Sequence, residues 1–147
     1  MDKDENRFQF DLPAGWEDQT VYYFRGPTIE GKEHRLIMTI DRHLQQDRVA
    51  DFAQQRTRLI TSAMQGIEVL KDEDTSLPGC YPSWEFAYRW IPSNDVKILK
   101  QHIFVLRGGY GFSFEIEYSK MSHKMLGEQV RKLIEALLPG TYEPGID

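Results

Sequence analysis

The residues that could do chemistry in this chain are few and scattered. Zinc sites and nucleophilic active sites use histidine and cysteine at characteristic spacings, and the four histidines here are His34, His43, His102 and His123. None of them belongs to a zinc-binding motif such as HExxH. His102 falls in a predicted strand, where we expect a hydrogen-bonded structural histidine. The sequence therefore predicts no metal site and no bound cofactor.

Three local features resemble reactive groups without supplying their context. Asp41 could orient the imidazole of His43, but such pairs on loops are common and usually carry no chemistry. The glycines at 108–111 precede a strand rather than a helix, so they predict a hairpin turn and not a phosphate-binding loop. The single cysteine, Cys80, has no basic partner nearby in sequence. We therefore do not expect an enzyme.

The composition favours a cytoplasmic domain. The 147 residues carry a net charge of −5, which argues against binding to nucleic acid or to anionic lipid. One cysteine cannot form an internal disulfide, which fits a reducing compartment. Residues 1–7 lack the apolar segment of a secretory signal, and no apolar run approaches the roughly 20 residues that cross a bilayer. We expect one domain over residues 1–147, in the cytoplasm and not inserted in a membrane.

Alternation of apolar and polar residues predicts seven strands, and helical spacing predicts two helices. The strands lie near residues 7–12, 19–25, 35–40, 67–70, 84–90, 96–106 and 110–118. The first helix should run over residues 48–64, capped by Asp47 and ended by Gly66, and the second over residues 123–138. Hairpin connections dominate. The predicted fold is α+β, a mostly antiparallel sheet of about six to seven strands with two helices packed on it.

Two faces of this sheet can be predicted from the alternation. We expect both aromatic rows to pack under the two helices, while the polar residues between them, such as Glu85 and Ser113, face solvent. The first row is Trp84, Phe86, Tyr88 and Trp90, and the second is Phe112, Phe114 and Ile116, with Tyr110 and Tyr118 in the same register.

The opposite, helix-free face should carry an exposed apolar patch. Its predicted members are Val21, Tyr23, Leu99, Ile103 and Val105. Exposed patches of this kind mark interaction sites. We therefore expect the patch to bind a partner or a second copy of the chain, with burial by the loop at residues 28–33 as the alternative.

Several segments resemble the DcrB-like family. In residues 10–24 a Leu-Pro pair, a Trp and an Asp-Gln pair precede an apolar strand, and Asp51-Phe52-Ala53, Leu77-Pro78-Gly79 and Gln101 fit as well. The resemblance covers nearly the whole chain and rests on the order and spacing of short motifs. It implies a Mog/PsbP-like fold. Because no signal peptide is present, the chain is most similar to the cytoplasmic branch, the Eag chaperones of bacterial type VI secretion.

That resemblance implies a function. Eag chaperones bind the hydrophobic N-terminal transmembrane helices of effectors, shield them until loading on the secreted spike, and act as dimers that use a concave sheet face. Carried over by position, the partner-binding residues are Val21 and Tyr23 on one strand and Leu99 and Gln101 on another, with Ile103 on the same predicted face. Arg56 departs from the pattern, because an uncharged polar residue would suit an apolar groove better.

Two alternatives remain open from the sequence. The first is a general protein-binding module of the same fold that acts on a folded partner. The second is an enzyme or small-ligand carrier that uses an aromatic pocket near Trp84 and Trp90.

Overall fold

A computed structural model describes residues 12–76, 81–91 and 97–140. The strand predicted at residues 7–12 lies almost entirely outside these ranges, and so does Cys80. The described elements, in chain order, are β1 (Val21–Arg25), β2 (Arg35–Asp41), α1 (Val49–Ala63), β3 (Glu68–Ser76), β4 (Pro82–Trp90), β5 (Ile98–Arg107), β6 (Tyr110–Tyr118) and α2 (Lys120–Gly140).

The strands form one antiparallel sheet. Their order across the sheet is β1-β2-β6-β5-β4-β3, and every neighbouring pair is antiparallel. β3 extends beyond the predicted residues 67–70 and contains an irregularity in pairing between Val69 and Lys71. The six strands and two helices confirm the predicted α+β fold with a mostly antiparallel sheet.

The helix ends differ from the sequence expectation. Asp47 does not cap α1, because Arg48 occupies the N-cap position and makes no side-chain cap hydrogen bond. α2 begins at Lys120 rather than near His123, because Ser119 and Ser122 cap it reciprocally. The Ser122 backbone N–H donates to Ser119 Oγ at 3.1 Å, and the Ser119 N–H donates to Ser122 Oγ at 2.8 Å. These bonds satisfy backbone donors that the first turn of a helix otherwise leaves unpaired.

The two helices pack on opposite faces of the sheet, which we call the α1 face and the α2 face. α1 packs on β4 and β5, whereas α2 packs on β6 and β5. Directly paired residues of antiparallel strands share a face. Phe86 pairs with His102 on the α1 face, and Ile103 pairs with Phe114 on the α2 face.

The expectation that both aromatic rows lie together under the helices is therefore wrong. Trp84, Phe86 and Tyr88 face α1, but Phe112, Phe114 and Ile116 face α2. The cause is the two-residue turn at Gly108 and Gly109, which pairs Arg107 with Tyr110. Even-numbered residues of β6 consequently share a face with odd-numbered residues of β5. Even-numbered residues of β4, by contrast, share a face with even-numbered residues of β5.

The larger core cluster lies on the α2 face. Its buried residues are Leu36, Met38, Ile103, Val105, Phe112, Phe114, Ile116, Tyr118, Leu126, Val130, Ile134 and Leu138. The cluster on the α1 face is smaller and comprises Phe52, Ala53, Phe86, Tyr88 and Phe104, with Trp84 and Trp90 packed against it. Both tryptophans therefore contribute to packing around α1. Trp84 also donates its indole N–H to Asp72 at 2.7 Å.

Candidate partner-binding groove

The five residues predicted to form one binding surface lie on two opposite faces of the sheet. Val21 pairs with Thr39, Thr39 pairs with Ser113, and Ser113 pairs with Phe104. Val21 and Tyr23 therefore share the α1 face with the even-numbered residues of β5, while the odd-numbered Leu99, Gln101 and Ile103 lie on the α2 face. The prediction of a single shared face is wrong, because alternation within each strand does not fix the register between strands.

The three residues on the α2 face are engaged by the chain itself. Ile103 belongs to the buried cluster under α2, and Leu99 packs partly buried against that cluster. The Gln101 side-chain amide donates to Glu85 Oε2 at 2.9 Å. Glu85 was expected to face solvent, but it is buried, with Lys71 Nζ 3.6 Å from its other carboxylate oxygen. Val105, expected on the exposed patch, is also buried, and α2 rather than the loop at residues 28–33 covers this side.

Val21 and Tyr23, by contrast, border an open groove on the α1 face. α1 packs mainly on β4 and β5, so the described residues leave β6, β2 and β1 largely uncovered beside it. A cavity of about 640 Å³ lies there, which we call the α1 groove. Leu59 and Ile60 of α1 line one side, and Val21 with residues 17–20 lines the other. Tyr23 is 60% exposed and pairs with Ile37, which lies in the groove.

The floor of the α1 groove contains polar side chains. Thr39 and Ser113 are direct partners on β2 and β6, so their hydroxyl groups lie side by side in the middle of the floor. Glu115 follows on the same face of β6, and His102 and Phe104 of β5 complete the floor toward α1. An occupant would therefore meet Leu59 and Ile60 on one side, Val21 with the polar residues 17–20 on the other, and hydrogen-bonding groups beneath them.

His102 is the buried polar group of this floor. Its ring lies parallel to the Phe104 ring at 6.0 Å and near-parallel to the Tyr88 ring at 5.9 Å, centroid to centroid. Burial lowers the pKa of His102 to about 4, although the nearby Glu115 carboxylate, 4.0 Å from Nδ1, acts in the opposite direction. Nε2 has no hydrogen-bond partner among the described residues, so the expected hydrogen-bonded histidine is wrong for this atom.

Glu115 of the floor is paired with Lys100, which lies beside the α1 groove. Lys100 Nζ lies 3.2 Å from Glu115 and 3.4 Å from Glu117. Burial alone would lower the pKa of Lys100, but attraction to both carboxylates outweighs burial and raises it. Strong coupling of this kind keeps the ammonium group charged and held in place. Glu17, Asp18 and Asp41 line the α1 groove together with Glu115, and Arg42 and Arg56 are its basic residues, so the lining carries an excess of negative charge.

Arg56 is paired at one end of the α1 groove. Its guanidinium lies 2.7 Å from Asp41 Oδ2 on β2 and 5.3 Å from the centroid of the Phe52 ring. The positive charge of Arg56, which departs from the family pattern, is thus paired with the Asp41 carboxylate and lies over the face of the Phe52 ring. The pair also connects α1 to the sheet across the groove.

Sequence reasoning placed Ser113 on an open side of its strand but did not combine it with Thr39 into the floor of a groove, and it missed the α1 wall. Ser113 alternates with buried residues of β6, so its face relative to β5 could have been deduced from the hairpin turn at Gly108 and Gly109. The face of Thr39 depends on the long-range pairing of β2 with β6. Leu59 of α1 is 64% exposed although it is apolar. In residues 12–76, 81–91 and 97–140, no three metal-ligating side chains come close enough to hold an ion. No helix in those ranges has both the length and the apolar character to cross a bilayer.

Comparison with known proteins identifies a family and a fold. The DcrB family model matches residues 8–136. No curated protein sequence matches the chain significantly. Among solved structures, the chain is similar to PA94 of Pseudomonas aeruginosa, which is described as a protein of unknown function and a candidate regulator. The two share 14% identity over 86% of this chain and 87% of PA94, with a TM-score of 0.69, which shows a common fold.

Proposed function

Because the chain belongs to the DcrB family, we propose that it is a cytoplasmic chaperone or adaptor that binds apolar helices. In this proposal it shields the hydrophobic N-terminal transmembrane segment of a type VI secretion effector before that effector is loaded on the spike. Family membership supports the fold and a protein-binding role. The assignment to type VI secretion rests on the resemblance to the Eag chaperones.

The observation that carries the proposal is the width of the uncovered sheet. β6, β2 and β1 are three adjacent strands beside α1. Neighbouring strands lie about 4.8 Å apart, so these three span about 10 Å. An α-helix with its side chains is about 10–12 Å across. One further helix therefore fits alongside α1 on this face, as an amphipathic or apolar helix fits a groove in other recognition modes.

The wall residues favour an apolar occupant. Val21 and Leu59 are 38% and 64% exposed, and they face the α1 groove from opposite sides. Covering exposed apolar surface contributes about 25 cal/mol per Å². The hydroxyls of Thr39 and Ser113 beneath them suit small or weakly polar residues on the side of the helix that faces the floor. The net charge of −5 supports a partner other than nucleic acid.

A pair of matched substitutions tests the proposal. Val21→Asp places a carboxylate on the wall of the α1 groove, and Val69→Asp makes the same change at an exposed position of the edge strand β3. The probe is a tagged apolar helix of about 20 residues, the length that spans a bilayer, taken from the N-terminus of an effector. We expect wild type and Val69→Asp to co-purify with the probe, and Val21→Asp to retain about tenfold less or lower.

Circular dichroism of both variants should match wild type, because both positions are exposed. Leu99→Asp is no substitute for Val21→Asp, since Leu99 packs against the core under α2. Equal retention of the helix by Val21→Asp and wild type would overturn the proposal. Recovery of a folded partner that lacks such a helix would favour the general protein-binding module instead.

The proposal includes a homodimer and assigns no reaction to the groove.

A further inference from the structure

Two acidic side chains on one wall of the α1 groove have no matching cation. Glu17 and Asp18 line the wall that also carries Val21. Within the described residues, neither carboxylate lies at ion-pair distance from a basic side chain, whereas the carboxylates of the lining on β2 and β6 are each paired with one. Arg42 also lines the groove, and one guanidinium cannot match both carboxylates. The excess negative charge of the groove is therefore concentrated on this wall.

The hydrogen bonds that the two carboxylates accept come from neutral groups. Asp18 Oδ1 accepts from the Thr20 backbone N–H at 2.9 Å and from the Thr20 hydroxyl, and Glu17 accepts from the Gln19 side-chain amide. Asp18 Oδ2 is buried and has no hydrogen-bond partner among the described residues. In the floor of the same groove, His102 Nε2 also lacks one there, on a side chain that is only 10% exposed. Because a buried polar atom without a partner is destabilising, the wall gains from an occupant that brings a charged donor.

The acidic wall lies toward one end of the groove. Val21 pairs with Thr39 in the middle of the floor, and Glu17 precedes Val21 by four residues. Four residues span at most about 13–14 Å. A helix of about 20 residues is about 30 Å long, so each end lies about 15 Å from its centre. A helix centred on the floor and lying along the strands therefore places an end, and not its apolar middle, beside Glu17 and Asp18.

We propose that the client of the α1 groove is an apolar helix flanked by lysine or arginine, and that one basic flank binds Glu17 and Asp18. This inference rests on the proposed function and narrows the class of helix that the groove accepts. Membrane-spanning helices often carry Lys and Arg just outside the apolar segment. The long stems of these side chains can pack on apolar surface while the charge reaches a neighbouring carboxylate. Charge-assisted hydrogen bonds are about twice as strong as neutral ones, so the wall selects among helices of equal apolar content.

Three probes that differ only in their flanks test the inference. Each is the same apolar helix of about 20 residues, fused to a soluble carrier protein and flanked at both ends by Lys-Lys, Gln-Gln or Glu-Glu. We expect the wild-type chain to bind the Lys-flanked probe about tenfold more tightly than the Glu-flanked probe, with the Gln-flanked probe between them. The difference should shrink at about 1 M NaCl, where the screening length falls to about 3 Å.

A charge reversal locates the contact. Glu17→Lys should abolish the preference for the Lys-flanked probe, and Glu73→Lys, the same change on the edge strand β3, should keep it. Both positions are exposed, so circular dichroism of the two variants should match wild type. Equal binding of the three probes by wild type, or an equal effect of the two substitutions, would overturn the inference and leave the proposed function standing. If wild type binds none of the probes, the proposed function fails and this inference fails with it.

Discussion

The two faces of this sheet differ in how completely a helix closes them. On the α2 face, a helix of 21 residues lies over the central strands and seals a continuous apolar cluster. On the α1 face, a helix of 15 residues lies toward one side, and three strands are left open by the part of the chain that the structure describes. The difference shows that one face can supply most of the core while the other remains available for binding.

β6 shows how a single strand serves both purposes. Phe112, Phe114 and Ile116 are buried on the α2 face, and the alternating Ser113, Glu115 and Glu117 face the opposite side. The polar side chains can stay hydrated while the α1 groove is empty. The open face therefore does not require an occupant in order for the sheet to be stable.

Truncations on the two faces should have very different costs. Phe114→Ala removes a fully buried ring from the cluster under α2 and should lower the free energy of unfolding by about 3–5 kcal/mol. Ile37→Ala, in the floor of the α1 groove, should cost about 1 kcal/mol, because Ile37 is only partly buried. Urea denaturation of both variants measures the contrast. Similar losses would mean that the open face contributes to the core as much as the closed one.

Acid should weaken the α1 face through His102. Its pKa is lowered from 6.5 to about 4 in the folded protein, so the unfolded chain takes up a proton that the folded protein refuses. Stability should therefore fall as the pH drops from about 6.5 to 4, by up to about 3 kcal/mol from this group.

A His102→Gln variant isolates this contribution, since glutamine cannot take up the proton. The difference in unfolding free energy between wild type and His102→Gln should shrink as the pH is lowered over that range. Curves for the two proteins that stay parallel would show that His102 does not cause the loss.

A glycine substitution measures how tightly α1 is seated. A Cβ at Gly111 would lie 2.8 Å from Phe52 Cζ, so Gly111→Ala must displace a buried ring of α1 and should cost about 1–3 kcal/mol. Gly127→Ala in α2 is the matched control, because its Cβ would meet His123 Nε2 at 3.7 Å, an ordinary contact. That control should stabilise by about 0.5–1 kcal/mol through helix propensity. Thermal unfolding should show a lower melting temperature for Gly111→Ala and a higher one for Gly127→Ala than for wild type.

The sequence predicted the elements better than their arrangement. The alternation around Trp84 and Phe112 located β4 and β6, and helical spacing located both helices. Alternation has a period of two residues, so it defines two sides within a strand but not which sides coincide between strands. The turn at Gly108 and Gly109 holds that information for β5 and β6, since a two-residue loop pairs its flanking residues.

Two of the five residues predicted for the candidate site lie at its open surface, and the other three do not, for the same reason. Val21 and Tyr23 were placed at an exposed apolar surface, and both are exposed beside the α1 groove. Leu99 and Ile103 looked equally apolar, but their burial depends on α2, whose position is set by long-range packing. The partnership of Arg56 with Asp41 joins residues 15 apart in sequence and separate elements, so no local pattern indicates it.

The acidic edge strand has a consequence for behaviour in solution. β3 has a sheet neighbour only on its β4 side within the described residues, and Asp72, Glu73 and Asp74 project from it into solvent. Unpaired edges invite neighbouring molecules to add strands and grow into aggregates, and like charges along an edge oppose that growth. Salt screens such repulsion over about 8 Å at physiological ionic strength. Concentrated preparations should therefore remain clear longest at low ionic strength and near neutral pH.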